Sequence, residues 1–156
     1  MSVEKLIRVA LKEKGINNRK VSIKKIVYTR TIVVEITVND PEISLLQIKE
    51  IDFAEICKNS EYIILQRNPV FYNNLKYEKA VENSLQELKG NNQIKINGTG
   101  WIVFKRDVLW FFVNEKFQEF NTGCFSVHEN TPISEIVERM YEENLDYLFL
   151  KNKKKI

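Results

Sequence analysis

The chain has 156 residues, 44% of them hydrophobic and 29% charged, with a formal net charge of +3. That composition excludes a disordered chain, and no apolar run approaches the roughly 20 residues that span a bilayer. The small net charge is no global signature of nucleic-acid binding, but residues 1–30 carry nine Lys/Arg against two Asp/Glu, and residues 121–150 one against six. A basic start, an acidic last helix and a basic tail can steer a partner or pair internally.

Val3, Leu6, Ile7, Ala10 and Leu11 recur at helical spacing and predict a helix over 3–14. Ser2 stands at its N-cap and Gly15 where a left-handed residue ends it. "KVSIKKIVYTRTIVVEITV", 20–38, reads as a hairpin. Ile32, Val34, Ile36 and Val38 share one face of its second strand, and Val33, Glu35 and Thr37 the other. Lys20, Lys24, Lys25 and Arg30 crowd the first half, with Arg19 just before. In a regular strand Lys24 and Lys25 point to opposite faces. Either Lys25 lies at a sheet margin, or a bulge near 24–25 resets the phase. An edge strand guarded by lysines, presenting Lys24 and Arg30 to a partner, fits the first case. "NDP" at 39–41 ends the strand, and "SLLQ" at 44–47 matches a capping box opening a helix near Leu45 that continues through Ile48 and, after an irregularity, to Cys57. "EYIILQRN", 61–68, is a third strand, followed by the loop "NPVFYNN".

A helix over 75–89 follows, striped by Tyr77, Val81, Leu85 and Leu88 and closed by Gly90. Asn97-Gly98 is a strong hairpin signal between Ile94/Ile96 and the run from Trp101 to Phe104. Arg106-Asp107 is a second turn before "VLWFFV", and a further strand is expected within 117–127. The last helix starts with Thr131 as N-cap and Pro132 at the first helical position. Ile133, Ile136, Val137, Met140 and Tyr141 form its stripe, "DYLFL" at 146–150 reads as a final strand, and "KNKKKI" as a tail. These elements predict an α+β fold with mainly antiparallel sheet and about four helices, in helix–strand–strand–helix–strand order in each half. The predicted lobes are 1–70 and 71–156, packed as one compact unit; a degenerate duplication fits the order, although the residues align poorly.

Candidate chemistry is sparse. Cys124, His128 and Glu129 sit in "CFSVHE". On a strand, residues four apart lie about 13 Å apart, too far for a nucleophile and its base. One His and two separated Cys fall short of a structural zinc set, and a buried thiol beside a surface histidine explains the pair. Both cysteines, Cys57 and Cys124, read as reduced thiols in a chain without a secretory leader. Glu135, Glu138 and Glu142 lie on one helical face, with Glu143 and Asp146 near. A solvated helix face explains them first; the alternatives are a divalent-cation site and an acidic surface that mimics phosphate or meets a basic partner. Trp101, Phe104, Trp110, Phe111, Phe112, Phe117 and Phe120 are interleaved with Lys105, Arg106 and Lys116, a pattern that can stack bases. Leu109, Phe111 and Val113 nevertheless share one strand face, and Trp110 and Phe112 the other. A strand apolar on both faces is core, or is covered by a homodimer partner or a host protein. Lys151, Lys153, Lys154 and Lys155 could contact phosphate or merely keep a disordered tail soluble. "NGTG" at 97–100 lacks the following helix of a phosphate loop. No catalytic residue, metal ligand or cofactor is assigned. The candidate partner- or nucleic-acid-binding residues are Lys24, Lys25, Arg30, Trp110, Lys105 and Arg106.

Residues 3–51, "VEKLIRVALKEK" and "NRKVSIKKIVYTRTIVVEITVNDPEISLLQIKEI", resemble the large polyvalent protein-associated domains of phages, plasmids and conjugative elements. The likeness rests on the "LIRxxLK" helix, the "VSI" strand, the "IxVxI" return strand and "NDPEIS" before a helix. "YTRT" stands where family members often place a Gly/Ser-rich turn, and only "KNSEYII" stands where they tend to have an acidic-glycine segment. Residues 75–156 carry no resemblance. The likeness implies context rather than chemistry: a small non-enzymatic anti-defence inhibitor of restriction or CRISPR machinery. It would dock on a host defence protein or ribonucleoprotein complex in the host cytoplasm, without cofactor or membrane. The rival reading is a nucleic-acid-binding accessory protein that grips DNA or RNA with the basic hairpin and tail. A third, a metal-dependent nuclease, would use the acidic helix.

Overall fold

A computed structural model describes residues 2–58, 61–73, 75–88, 90, 92–120 and 122–154. The chain divides into two compact units, Met1–Asn73 and Asn74–Ile156. Both combine α-helix with a sheet, and the pairing is mostly antiparallel, so the class is α+β.

In the first unit, Ser2 Oγ accepts the Lys5 N–H at 3.2 Å and opens α1, Val3–Glu13. Gly15, at φ 76°, turns the chain out of it. β1, Val21–Val27, and β2, Ile32–Val38, pair antiparallel without interruption from Val21↔Val38 to Val27↔Ile32. There is no bulge at 24–25. Ser44 caps α2, Leu45–Lys49, as the capping box predicts, but Gln47 does not reach back to it. Its Nε2 donates instead to the Lys14 carbonyl, at 3.2 Å, at the end of α1. The irregularity expected between Ile48 and Cys57 is a full break: Asp52 caps a separate α3, Phe53–Ile56, by accepting from the Glu55 N–H. β3, Tyr62–Arg67, returns parallel to β2, giving the order β1-β2-β3. Ile7, Leu11 and Ile48 from helices and Val34, Ile36 and Val38 from β2 are each 0% exposed and form the core. Buried Arg67 donates to the carbonyls of Asp40 and Ile43, which fixes the loop after β2.

The second unit opens with α4, Glu78–Glu87. β4, Gln93–Lys95, β5, Ile102–Arg106, β6, Leu109–Val113, and β7, Cys124–His128, form an antiparallel meander in sequence order. The turns fall at Asn97-Gly98 and at Asp107, which adopts φ 58°. Residues Glu115–Phe120 form a 3-10 helix, so the strand expected within 117–127 is confined to β7. α5, Ile133–Lys154, begins one residue later than predicted; Pro132 supplies the first carbonyl, to the Ile136 N–H at 3.3 Å, rather than the first helical residue. "DYLFL" is not a strand but the fifth turn of α5, because Tyr147 continues the stripe of Ile136 and Met140 into the core. Val103, Phe112 and Phe125 of the sheet pack on Val81 of α4 and on Ile136, Val137, Met140 and Tyr147 of α5. The helix–strand–strand–helix–strand order therefore fails in this half. Among the described residues, no helix is long and apolar enough to cross a membrane.

Candidate partner-binding surface

Strand alternation gives the first sheet two unlike faces. One is buried under the helices through Val34, Ile36 and Val38. The other carries Ser22, Lys24 and Ile26 of β1, Val33, Glu35 and Thr37 of β2, and Tyr62, Ile64 and Gln66 of β3. Register aligns these as three rows across the sheet: Ile26–Val33–Tyr62, Lys24–Glu35–Ile64 and Ser22–Thr37–Gln66. None of the nine belongs to the helix-covered core. Tyr62 is 64% and Ile64 43% exposed. Tyr28, exposed just past the end of β1, extends the apolar row, while exposed Val27 points to the other side of the sheet. The opposite end of the face is polar, with Gln66 Nε2 donating to Thr37 Oγ1 at 3.2 Å. An open sheet face with an apolar row at one end and Ile64 beside it is an unusual exposure.

The sequence-predicted cations do not form one surface. Lys24 lies on this open face, directly opposite Glu35. Lys25 lies on the other face, opposite Val34, but is exposed beyond the part that the helices cover. That is the sheet-margin alternative. Arg30 is exposed in the connection between β1 and β2. Lys20 is held by Asp40 at 2.7 Å. Burial works to raise the Asp40 carboxyl, but the Lys20 hydrogen bond and charge and the Glu42 and Ile43 N–H groups outweigh it and hold it below the usual carboxylate range. β1 and β3 are the edges of the sheet, and the lysines guard the β1 edge.

In the second unit, Lys105 pairs with Glu129 at 2.6 Å, and this hydrogen bond and charge lower the Glu129 carboxyl. Arg106 sits over the Phe104 ring, 5.4 Å from its centroid. Trp110 is half-buried and packs against the core beside Val127. The face opposite Trp110 and Phe112 carries Ile102, Phe104, Leu109, Phe111 and Val113, all half-buried, with Phe104 and Phe111 stacked at 5.3 Å.

The remaining candidates separate. Cys124 is exposed, not buried, and pairs in register with Val113 while His128 pairs with Leu109 at the other end of the strand. His128 Nδ1 accepts the Asn130 N–H. Burial, then Glu61, pushes the half-buried Cys57 thiol up. The described residues hold no group of three or more His, Cys, Asp and Glu side chains arranged for a metal ion. Glu143 is no part of a solvated acidic face: 7% exposed, it accepts the Gly123 N–H at 2.9 Å and Arg139 Nε at 3.2 Å. Burial, then Glu135 and Glu142, raise the Glu138 carboxyl. The basic tail is the last turn of α5 up to Lys154, which pairs with Glu119 at 2.6 Å; Lys155 lies outside the described residues.

Tyr62 and Ile64 were not singled out from the sequence. Their signal was present: "YIIL" places apolar residues on both faces of an edge strand, and only the Ile63/Leu65 face has helices over it. No protein-family model, curated protein or solved structure matches the chain.

Proposed function

We propose that the chain is a non-enzymatic binding protein of a phage or mobile element. In this reading it acts in the host cytoplasm, docks on a protein of a host defence complex, of the restriction or CRISPR kind, and blocks it. The observation that carries the docking is the open face of the first sheet, centred on Tyr62 and Ile64 and edged by Lys24. Large aromatic and aliphatic groups framed by polar residues are what protein interfaces use as anchors. The defence context rests on the resemblance of residues 3–51 alone.

Nucleic acid is the second reading, supported by exposed Tyr28 and Tyr62, which could stack on bases near Lys24 and Arg30. Against it, Lys20 is engaged by Asp40 and Lys24 stands opposite Glu35.

The test is phage infection of cells carrying an active restriction or CRISPR system. The wild-type chain restores infection, and Tyr62→Lys/Ile64→Lys, folded by circular dichroism, does not. A double variant that protects phage as well as wild type refutes docking through this face. Failure of the wild-type chain across such systems refutes the defence role. Binding to DNA or RNA that weakens steeply with salt and disappears in Lys24→Glu/Lys25→Glu would establish the second reading instead.

A further inference from the structure

We infer that the second unit holds a binding site for a small phosphate monoester, in the cavity between the β4–β5 turn, the start of the 3-10 helix and the last third of α5. The cavity has a volume of about 730 Å³, within the span of roughly 300–1,000 Å³ typical of small-molecule clefts. Trp101 and Tyr147, 4% and 6% exposed, belong to its apolar floor.

Asn114 supplies the first specific feature. It is 3% exposed, and its backbone N–H and carbonyl are both used, to the Gly123 carbonyl and the Phe117 N–H. Its Oδ1 accepts the Lys116 N–H at 3.2 Å. Its Nδ2 donates to no described residue, yet no fully buried side-chain nitrogen or oxygen lacks a partner among them. The amide NH2 therefore opens into the cavity that Asn114 lines. The NH2 is therefore a donor pair held in place by a buried side chain and able to meet a ligand acceptor in the cavity. Gly100, at φ 79°, lies across from it, and a Cβ there would stand 3.4 Å from Nδ2. Glycine keeps that approach clear.

Charge supplies the second feature. Lys95, Lys116 and Lys151 line the cavity, and none forms an ion pair with a described residue. Lys151 is steadied over the Tyr147 ring, 5.7 Å from its centroid. Against these three cations stands one lining carboxylate, Glu115, so the site carries +2. A phosphate monoester carries about −1.5 to −2 at neutral pH and presents only acceptor oxygens to such donors. The apolar floor and the volume favour an organic body attached to that phosphate over the bare ion.

Amide NMR of the full chain tests the site with adenosine 5′-monophosphate, adenosine and inorganic phosphate as probes. The nucleotide is expected to shift the Gly98 and Gly100 amides and the Asn114 side-chain NH2, with phosphate weaker and adenosine silent. Lys116→Glu and Lys151→Glu each weaken binding about tenfold or more, as loss of a charged hydrogen bond does. Asn114→Asp, which replaces the donor by an acceptor, does the same, and Glu115→Gln tightens binding. If Asn114→Asp misfolds, the two lysine variants and Glu115→Gln decide the matter. Adenosine binding as tightly as the nucleotide, binding unchanged by both lysine reversals, or no shift at Gly98, Gly100 and Asn114 with either phosphate probe overturns the proposal. Phosphate equal to the nucleotide refutes the organic body.

Discussion

Gly123→Ala should be the most damaging single-methyl change in the second unit. Gly123 is buried, and its backbone φ of 76° lies where a Cβ meets the chain's own carbonyl, at about 1–2 kcal/mol for a non-glycine residue. The new Cβ would stand 2.5 Å from Phe117 Cβ and 3.0 Å from the Asn114 carbonyl oxygen. Neither neighbour can retreat cheaply. Phe117 is 6% exposed and stacks on Tyr147 at 4.6 Å, and the Asn114 carbonyl accepts the Phe117 N–H. Overpacking of this kind adds about 1–3 kcal/mol, and the reduced freedom of the unfolded chain returns about 0.4–1 kcal/mol. The expected loss is about 2–4 kcal/mol. Urea unfolding followed by tryptophan fluorescence reads this unit alone, because Trp101 and Trp110 are the only tryptophans and both lie in it. Gly98→Ala is the control: its φ is 74°, but nothing lies within 4 Å of the added Cβ, so only the backbone penalty applies. If Gly123→Ala costs no more than Gly98→Ala, the close packing of the 3-10 helix against the β6–β7 connection is wrong.

Three further outcomes follow from named contacts. The Glu138 carboxyl is raised, so the folded state holds its proton more tightly than the unfolded chain and stability falls as pH rises through the folded value. Glu138→Gln should therefore raise the urea midpoint at neutral pH and leave it unchanged below the ordinary carboxylate pKa of about 4.3. The Asp40 carboxyl is lowered, so its contribution is present above the ordinary value of about 3.9 and is lost as pH falls through the lower folded one. Hydrogen exchange of the β2 amides should show that Asp40→Asn removes this part of the acid sensitivity of the first unit. Ile64→Lys, on the open face, should change stability by no more than about 0.5 kcal/mol in thermal unfolding; a larger loss would mean that Ile64 is core.

What was legible in the sequence follows from how local the controlling physics is. The hairpin of β1 and β2 and the opposite facing of Lys24 and Lys25 in a regular strand were readable, because alternation acts over a few residues; that no bulge resets the phase was not. So were Ser2 and Ser44 as caps. "DYLFL" failed because a short apolar run does not distinguish a strand from buried helix, and the seven-residue step from Met140 to Tyr147 was the deciding signal. Glu143 failed for another reason. Its spacing groups it with solvated acids, but its partner is a backbone N–H twenty residues away, which only the tertiary fold supplies. Asn114 was invisible for the same reason, since its free NH2 follows from what its neighbours fail to offer.

The two edges of the first sheet are guarded unequally. β1 carries Lys24 and Lys25, charges that discourage another strand from pairing with it. β3 turns Tyr62, Ile64 and Gln66 to solvent with no charge among them, and Arg67 at its end is buried. Replacing Tyr62 and Ile64 by polar residues would remove no contact in the helix-covered core, so burial there does not explain why they are apolar. Local choices in a protein usually agree with its fold, and departures concentrate where function requires them. The departure here lies on β3, at Tyr62 and Ile64, with Val33 and Ile26 in one row with Tyr62. A partner would therefore approach across β3 and β2, with Lys24 setting its orientation from the far margin. On the proposed reading, the basic hairpin that stands out in the sequence borders the surface, and Tyr62 and Ile64 of β3 anchor it.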